Sequence, residues 1–578
     1  MRALPIMFTA IIMALAINTQ AGGRKLALEE IIVTASKRET VVQDTAIAIT
    51  AFSQSMLEDL NINTPFMYEA LTPSLSFQQT PNRLSIRGIG RFDNSLGISP
   101  GVAIYNDGIF TAEATSLATQ PINMTRTEIL RGPQGTLYGR NTTGGAVNII
   151  SRRPTEKFEA DLRIKVGDYN LRQYAGVVSG PITDSLRYKL HILDNERDGL
   201  QDNIAGPDAR SQDFTYYEGQ IEWDITENLH LWAEYGQLNS DAVPGYAPSN
   251  DPYDCVNTWN GLSKSAQYVA CQKGLENASI GDPTQINVNA PGSAALENNN
   301  SWTARISYDF DRAELSLLYG LVEYDYSERN DYDGTADPDP ANQTNLDVEQ
   351  NQKQTTFELQ LVSEWDKEWS YIAGLYYFKD KNEQPYNINS PANPTFATSS
   401  ADGFGLETWD NSLGVAYFQR GAVDNESWAI FGEVDHPFND QWSLTVGARY
   451  SLDDYNGEET QLRYYNLYRE FGEVDLPYAF DVSVVPFSGD ASRYVNSVDA
   501  KYDDTFENVT GKFTVSYRPK DNDLFWGTVS TGYKMGGTRL GAMEKFYAAV
   551  EGESSNGEFD EEEIVSYELG WKSSFMEN

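Results

Sequence analysis

From about Phe158 onward, apolar and polar residues alternate position by position. In WTARISYDF, Trp302, Ala304, Ile306, Tyr308 and Phe310 fall on one side of an extended chain, and Thr303, Arg305, Ser307 and Asp309 on the other. WSLTVGARY sets Trp442, Leu444, Val446, Ala448 and Tyr450 against Ser443, Thr445, Gly447 and Arg449. VTGKFTVSYR sets Val509, Phe513, Val515 and Tyr517 against Thr510, Lys512, Thr514, Ser516 and Arg518. These windows predict strands of about 10 residues with one apolar and one polar face. Roughly fourteen such strands follow one another. A soluble sandwich with a wet outer face shares this pattern with a membrane barrel that has a polar lumen. The links favour the barrel. Very short ones (182–185, 226–228, 311–313, 366–368, 439–440, 520–523) alternate with long polar ones (about 239–299, 327–351, 381–424 and 452–505). One end of a barrel is then trimmed and the other elaborated. Trp223, Trp365, Trp369, Trp442, Trp526 and Trp571 all lie close to short turns, which predicts a belt at the inner membrane–water interface. A sandwich would bury them in its core.

Before about residue 155 the pattern differs. Short β-prone pieces (IIVTA, AIAITAF, LSIRGIG, VAIYNDGIF, TEILRG, AVNIIS) alternate with two predicted helices. One runs near 53–60 from a capping Ser53, and the other near 65–71 with Pro65 in its first turn. The result is a small α+β domain of about 130 residues. Ahead of it, Arg2, the apolar run Ile6–Ile17 and small residues up to Ala21 make a secretory signal peptide, too short to span a membrane. The division predicted is 1–21 signal peptide, 22–45 extended segment and linker, 46–154 α+β domain and 155–578 barrel.

Composition narrows function. The 578 residues carry a net charge of −41, so nucleic acid is not an expected partner. Aromatics at 12% argue against disorder in an acidic chain. Cys255 and Cys271 could form one disulfide in an oxidising compartment, or stay as free thiols. His191, His230 and His436 show neither metal-ligand spacing nor a nucleophile motif, so no metal, cofactor or catalysis is expected. Asp331–Pro340 carries only the opening residues of a calcium loop. The glycine-rich stretch EILRGPQGTLYGRNTTGGAVNII (Glu128–Ile150) lacks the Lys-Ser or Lys-Thr of a phosphate loop. Its glycines at 132, 135, 139, 144 and 145 read as tight turns in a crowded interior.

Three stretches in order resemble the TonB-dependent outer-membrane receptors: LEEIIVTASKRE (Leu28–Glu39), LSIRGIG with VAIYNDGIF (Leu84–Gly90, Val102–Phe110), and EILRGPQGTLYGRNTTGGAVNIISRRP, which begins at Glu128. The resemblance covers essentially the whole mature chain. It implies an N-terminal α+β plug inside an antiparallel barrel of 22 strands, of which about fourteen are present here. It also implies uptake of a scarce solute, most often a ferric siderophore or other iron complex, with haem, cobalamin or oligosaccharide as alternatives. The energy would come from an inner-membrane complex through periplasmic TonB, and the barrel would sit in outer-membrane lipid.

Residue by residue, the resemblance makes Glu29, Glu30, Ile31, Ile32, Val33, Thr34 and Ala35 the TonB-binding box, an extended segment able to add to a partner's sheet edge. An ordinary plug strand is the alternative. Arg87, Glu128 and Arg131 occupy plug motifs that in the family meet barrel carboxylates. In VSYELGW, Val565, Tyr567, Leu569 and Trp571 face lipid, so Glu568 faces inward and is expected to meet a plug arginine or lumen water. Arg91, Phe92, Asp93 and Asn94 are candidate substrate contacts, within apex loops at 91–99 and 111–120. The chain closes on Asn578 where the family has an aromatic residue, which reads as a truncated chain; a true 14-strand barrel is the alternative. An open fragment is expected not to insert stably by itself. A surface-binding barrel without transport would need neither box nor plug.

Overall fold

A computed structural model describes residues 31–60, 62, 67–79, 82–91, 96–111, 123–243, 285–286, 288, 293–331, 345–363, 369–389, 415–465, 494–538 and 558–574. Fourteen antiparallel strands form one sheet in strict chain order, from Glu159–Val166 to Glu562–Ser573. The short links fall where the alternation broke: Thr183 and Leu186, Phe310 and Ala313, and Lys520 and Asp523 each flank a tight turn.

The predicted faces hold. Trp302, Ile306, Tyr308 and Phe310 are exposed, while Thr303 is buried. Tyr567 and Leu569 are 80% and 90% exposed, and Glu568 lies on the opposite face. In Trp442–Tyr465 the outward apolar row runs from Trp442 to Leu452, close to the ~9–11 residues of a tilted spanning strand. Strand length departs from expectation. Tyr494–Lys520 has 27 residues and Trp442–Tyr465 has 24. Beyond the apolar band both faces turn polar, but the backbone groups continue to pair, so hairpin arms occupy what the sequence suggested as loops. Trp223, Trp369, Trp442 and Trp571 are exposed beside short turns. Trp526 is not: it is 7% exposed and points into the lumen, because Phe525 and Val529 hold the outward positions of its strand. Trp365 lies outside the described residues.

The N-terminal domain sits against the inner face of this wall. Its five-stranded sheet has the order Ile49–Ser53, Met124–Arg131, Gly145–Ser151, Val102–Asn106, Ile109–Thr111. Gly145–Ser151 runs parallel to Val102–Asn106, and the other neighbours are antiparallel. The two predicted helices appear as Gln54–Asp59, with the Ser53 side chain accepting from the Met56 amide, and as Met67–Leu71. They close over Ile104, Ile129, Val147 and Ile149 together with Leu57, Phe77 and Ile86. Gly145 shows why glycine is needed at this packing density. Its φ is +150°, and a Cβ there would stand 2.1 Å from the Leu130 carbonyl oxygen.

Candidate functional site

The segment reading IVTASKRETV is not a free tail. Ile32–Val33 pairs with Thr40–Val41 in a small hairpin, and Val33 and Ala35 are fully buried. β-branched residues favour this extended form. The chain turns back at Lys37, whose φ is +57° and whose amide donates to the Thr34 carbonyl at 2.8 Å.

Glu128 is the hub on which this hairpin docks. Its carboxylate accepts the Thr34 amide at 2.7 Å, the Thr34 hydroxyl at 3.2 Å, Arg126 Nε at 2.7 Å and Asn148 Nδ2 at 3.3 Å. This corrects the expectation that Glu128 meets the barrel. Glu128 stands opposite Asn148 and Ala51 in adjacent strands and is fully buried, so it satisfies groups of the plug and the N-terminal segment. A carboxylate this deep is tolerable only with several donors.

The same segment is tied to the inner face of the wall. Lys37 Nζ reaches Glu358 at 3.0 Å, and Arg38 Nη1 reaches Asp435 at 2.5 Å and Ser370 at 2.9 Å. Arg518 donates to Asp44 at 2.7 Å, and Lys572 Nζ donates to the carbonyls of Val42 and Thr45, each at 2.7 Å. Glu29 and Glu30 lie outside the described residues. Ile31 lends its carbonyl to the Val42 amide at 2.9 Å.

Arg87 and Gly88 form the two-residue turn between Ile86 and Ile89, with φ of +54° and +79°. That turn aims the guanidinium at the wall, and Arg87 Nη2 donates to Glu568 Oε2 at 2.9 Å. Trp526 Nε1 donates to the other oxygen at 3.2 Å, which gives this inward tryptophan its place. Arg131 stands beside the pair. Burial and then the Arg87 charge lower its pKa, and Glu568 opposes them. Of the candidate substrate contacts, Arg91 is described, while Phe92, Asp93 and Asn94 lie outside the described residues. Cys255, Cys271 and most of Asp331–Pro340 lie outside them too.

Several contacts were missed at the sequence level. Lys189, fully buried on the wall, reaches Asn123 of the plug at 2.5 Å and Glu218 at 2.8 Å, and also donates to the Arg152 carbonyl. Arg140 of the plug meets Asp453 at 3.1 Å, and Tyr533 donates to the same carboxylate at 2.6 Å. Tyr105 donates to the Tyr138 carbonyl at 2.8 Å, and burial foremost raises both phenols well above their ordinary pKa. The parity argument that singled out Glu568 would also have marked Lys189, Glu218, Glu358 and Asp453, which are charged residues at inward positions. Each such pair roughly balances desolvation against attraction, so the pairs together set the register of the plug against the wall more than they add to its stability.

A mixed-sheet plug held by ion pairs inside an antiparallel wall with an apolar exterior is the architecture of plugged outer-membrane barrels. The family model "TonB dependent receptor-like, beta-barrel" matches residues 238–578, and "TonB-dependent Receptor Plug Domain" matches 41–146. The chain belongs to the TonB-dependent receptors, which are outer-membrane proteins and not enzymes. It is 25% identical over 328 residues to the ferric-pyoverdine M114 receptor PbuA of Pseudomonas sp. (strain M114), covering 52% of this chain and 37% of that one. It is 28% identical over 181 residues to the pesticin receptor of Yersinia pestis, covering 30% of this chain and 26% of the other. The matched stretches therefore span well under half of these relatives. The ferric yersiniabactin uptake receptor FyuA from Yersinia pestis shares the fold, with a TM-score of 0.67 at 16% identity, over 91% of this chain and 70% of that one.

Proposed function

We propose that this chain belongs to a receptor that takes up a ferric siderophore or similar iron complex, powered through TonB. One observation carries the energised half of this reading. Residues 32–35 of the candidate box themselves form part of a hairpin that is docked on Glu128 and tied to the wall through Lys37, Arg38 and Lys572, so an accessible box would need this hairpin to open. A pull on the segment would load Glu128 first, because the Thr34 amide is bonded to it, and through Glu128 the strand Met124–Arg131, which is paired with the central strand of the plug sheet. The iron cargo rests on the named relatives, which are ferric-pyoverdine receptors. A cobalamin cargo is the second reading, because the vitamin B12 transporter BtuB of Vibrio vulnificus is 23% identical over 220 residues.

The test is growth of a receptor-deletion strain carrying the full-length gene on a panel of iron chelates, cobalamin and oligosaccharides. Rescue by one or more iron chelates is expected. Rescue by cobalamin or oligosaccharide alone overturns the cargo. Deleting residues 29 to 35 should abolish rescue while the receptor still reaches the membrane; uptake that survives the deletion overturns the box.

A further inference from the structure

The inner face of the wall carries a chemistry that narrows the cargo. Six successive strands supply it, from Ala313–Asp331 to Tyr494–Lys520. Where the plug reaches these strands, the Gln354 side-chain amide donates to the Phe110 carbonyl, and Leu96 packs beside Tyr455. The row at that level reads Val322, Gln354, Asp380, Asn425, Tyr455, Asp504 in register. Two residues farther from the short turns, on the same face, the next row reads Tyr324, Gln352, Asn382, Val423, Gly457, Tyr502. Gln350 and Glu459 stand one step beyond it, both buried.

Among these positions Asp380, Asp504 and Glu459 are acidic, amides and phenols predominate, and none is Lys or Arg. Lys353 and Lys381 of the same strands lie on the opposite face, paired with Glu323 and Asp424. Cations lower on the inner side are engaged. Arg140 of the plug meets Asp453 at 3.1 Å, and Arg449 lies against the rings of Tyr376 and Phe431. Arg91 of the plug is engaged as well.

A cavity of about 100 Å³ between plug and wall has the same character, and it reaches Val322 of the first row. Asp107 of the plug and Glu218 and Glu234 of the wall line it, and among the described residues no Lys or Arg does. Lys189 holds Glu218 at 2.8 Å, and Arg153 lies 3.7 Å from Asp107. Glu234 is met by neutral donors, Gln220 at 2.6 Å and Ser151 at 3.3 Å. Asn106, also in the lining, has a buried Oδ1 with no hydrogen-bond partner. A buried acceptor without a donor is costly, and a ligand donor would satisfy it.

An anion entering this lumen would give up hydration to face acceptors and like charge. Donor groups or a positive charge would face the reverse. We infer that the cargo carries no net negative charge: it is a neutral or cationic chelate whose surface presents N–H, O–H or ammonium groups. The inference rests on the uptake reading but not on iron as the cargo.

The test is a fluorescence titration of full-length receptor in detergent micelles. The probes are ferric trihydroxamates on one scaffold whose terminal amine is free, acetylated or succinylated, so that net charge runs from positive through zero to negative. A ferric tris-catecholate, strongly anionic, and neutral cyanocobalamin complete the set. We expect the free-amine and acetylated forms to bind about tenfold more tightly than the succinylated form, with the gap narrowing as salt is raised, and the tris-catecholate not to bind. Asn382→Lys, which places a cation on the inner face, should bring the succinylated form level with the acetylated one. Gln350→Lys serves if that variant does not fold. Tightest binding of the succinylated form or of the tris-catecholate overturns the inference and leaves iron uptake standing. An unchanged charge preference in both lysine variants overturns it as well. Binding of cyanocobalamin with none of the iron chelates overturns the iron cargo and supports the inference about charge.

Discussion

Removing the Glu128 carboxylate charge should undock the N-terminal hairpin without unfolding the plug. In Glu128→Gln the side chain keeps its shape but loses the charge on which Thr34 and Arg126 converge. Hydrogen bonds to a charged group contribute ~1.5–3 kcal/mol each, against about 1 kcal/mol for neutral ones. The Thr34 amide bond at 2.7 Å should lose most of that difference, and the longer hydroxyl bond at 3.2 Å less. Opening of the hairpin should then become easier by about 2 kcal/mol, or roughly thirtyfold in population. Hydrogen exchange at the Thr34 amide reads this directly, since exchange from a locally opened state tracks its free energy. We expect a rise of about thirtyfold at Thr34, with little change at Val147 and Ile149 in the plug core. A change under about threefold at Thr34, or an equal rise in the core amides, would refute the argument that this carboxylate docks the segment. Thr34→Ala, which leaves the amide bond in place, should give a smaller rise.

Gly145→Ala should cost the plug about 3 kcal/mol or more, from a backbone angle that favours glycine and a collision with the Leu130 carbonyl; proteolysis of the plug in the purified receptor would show it. A double-mutant cycle on Arg87 and Glu568 should return only about 0.5–1 kcal/mol, because the two side chains are 38% and 20% exposed; a value above ~3 kcal/mol would mean a drier pair than the structure has. Ile430→Arg, on the outward face inside the apolar band, should destabilise the barrel in vesicles by about 2–4 kcal/mol, whereas Asn456→Arg, beyond that band, should be near neutral.

The chain's own pattern determined more of this protein than its low identity to relatives suggests. Side chains of an extended strand point alternately to opposite faces, so period-two alternation sets both the strand and its lipid side before any partner is known. That is why Tyr567 and Leu569 stand outward and Glu568 inward. Two-residue turns are equally local. Arg87-Gly88 and Asp107-Gly108 both have positive φ at each residue, which the glycine makes easy. Trp526 shows the limit of reasoning from position alone. Nearness to a turn suggested a belt, but strand parity turned the ring inward onto Glu568.

The docking of the N-terminal segment was decided only by tertiary structure. Thr34 and Glu128 are 94 residues apart, and Lys37 and Glu358 are 321 apart. Nothing local selects those partners. They follow from which strand of the plug sheet faces the hairpin and from which part of the wall the plug rests against. The sequence also supplied the charges at inward positions without saying which would pair, because a buried charge requires a partner but does not name one. Only when the plug is seated do Arg87, Lys37 and Arg38 each lie opposite a particular carboxylate, and that seating is a property of the whole packed interface.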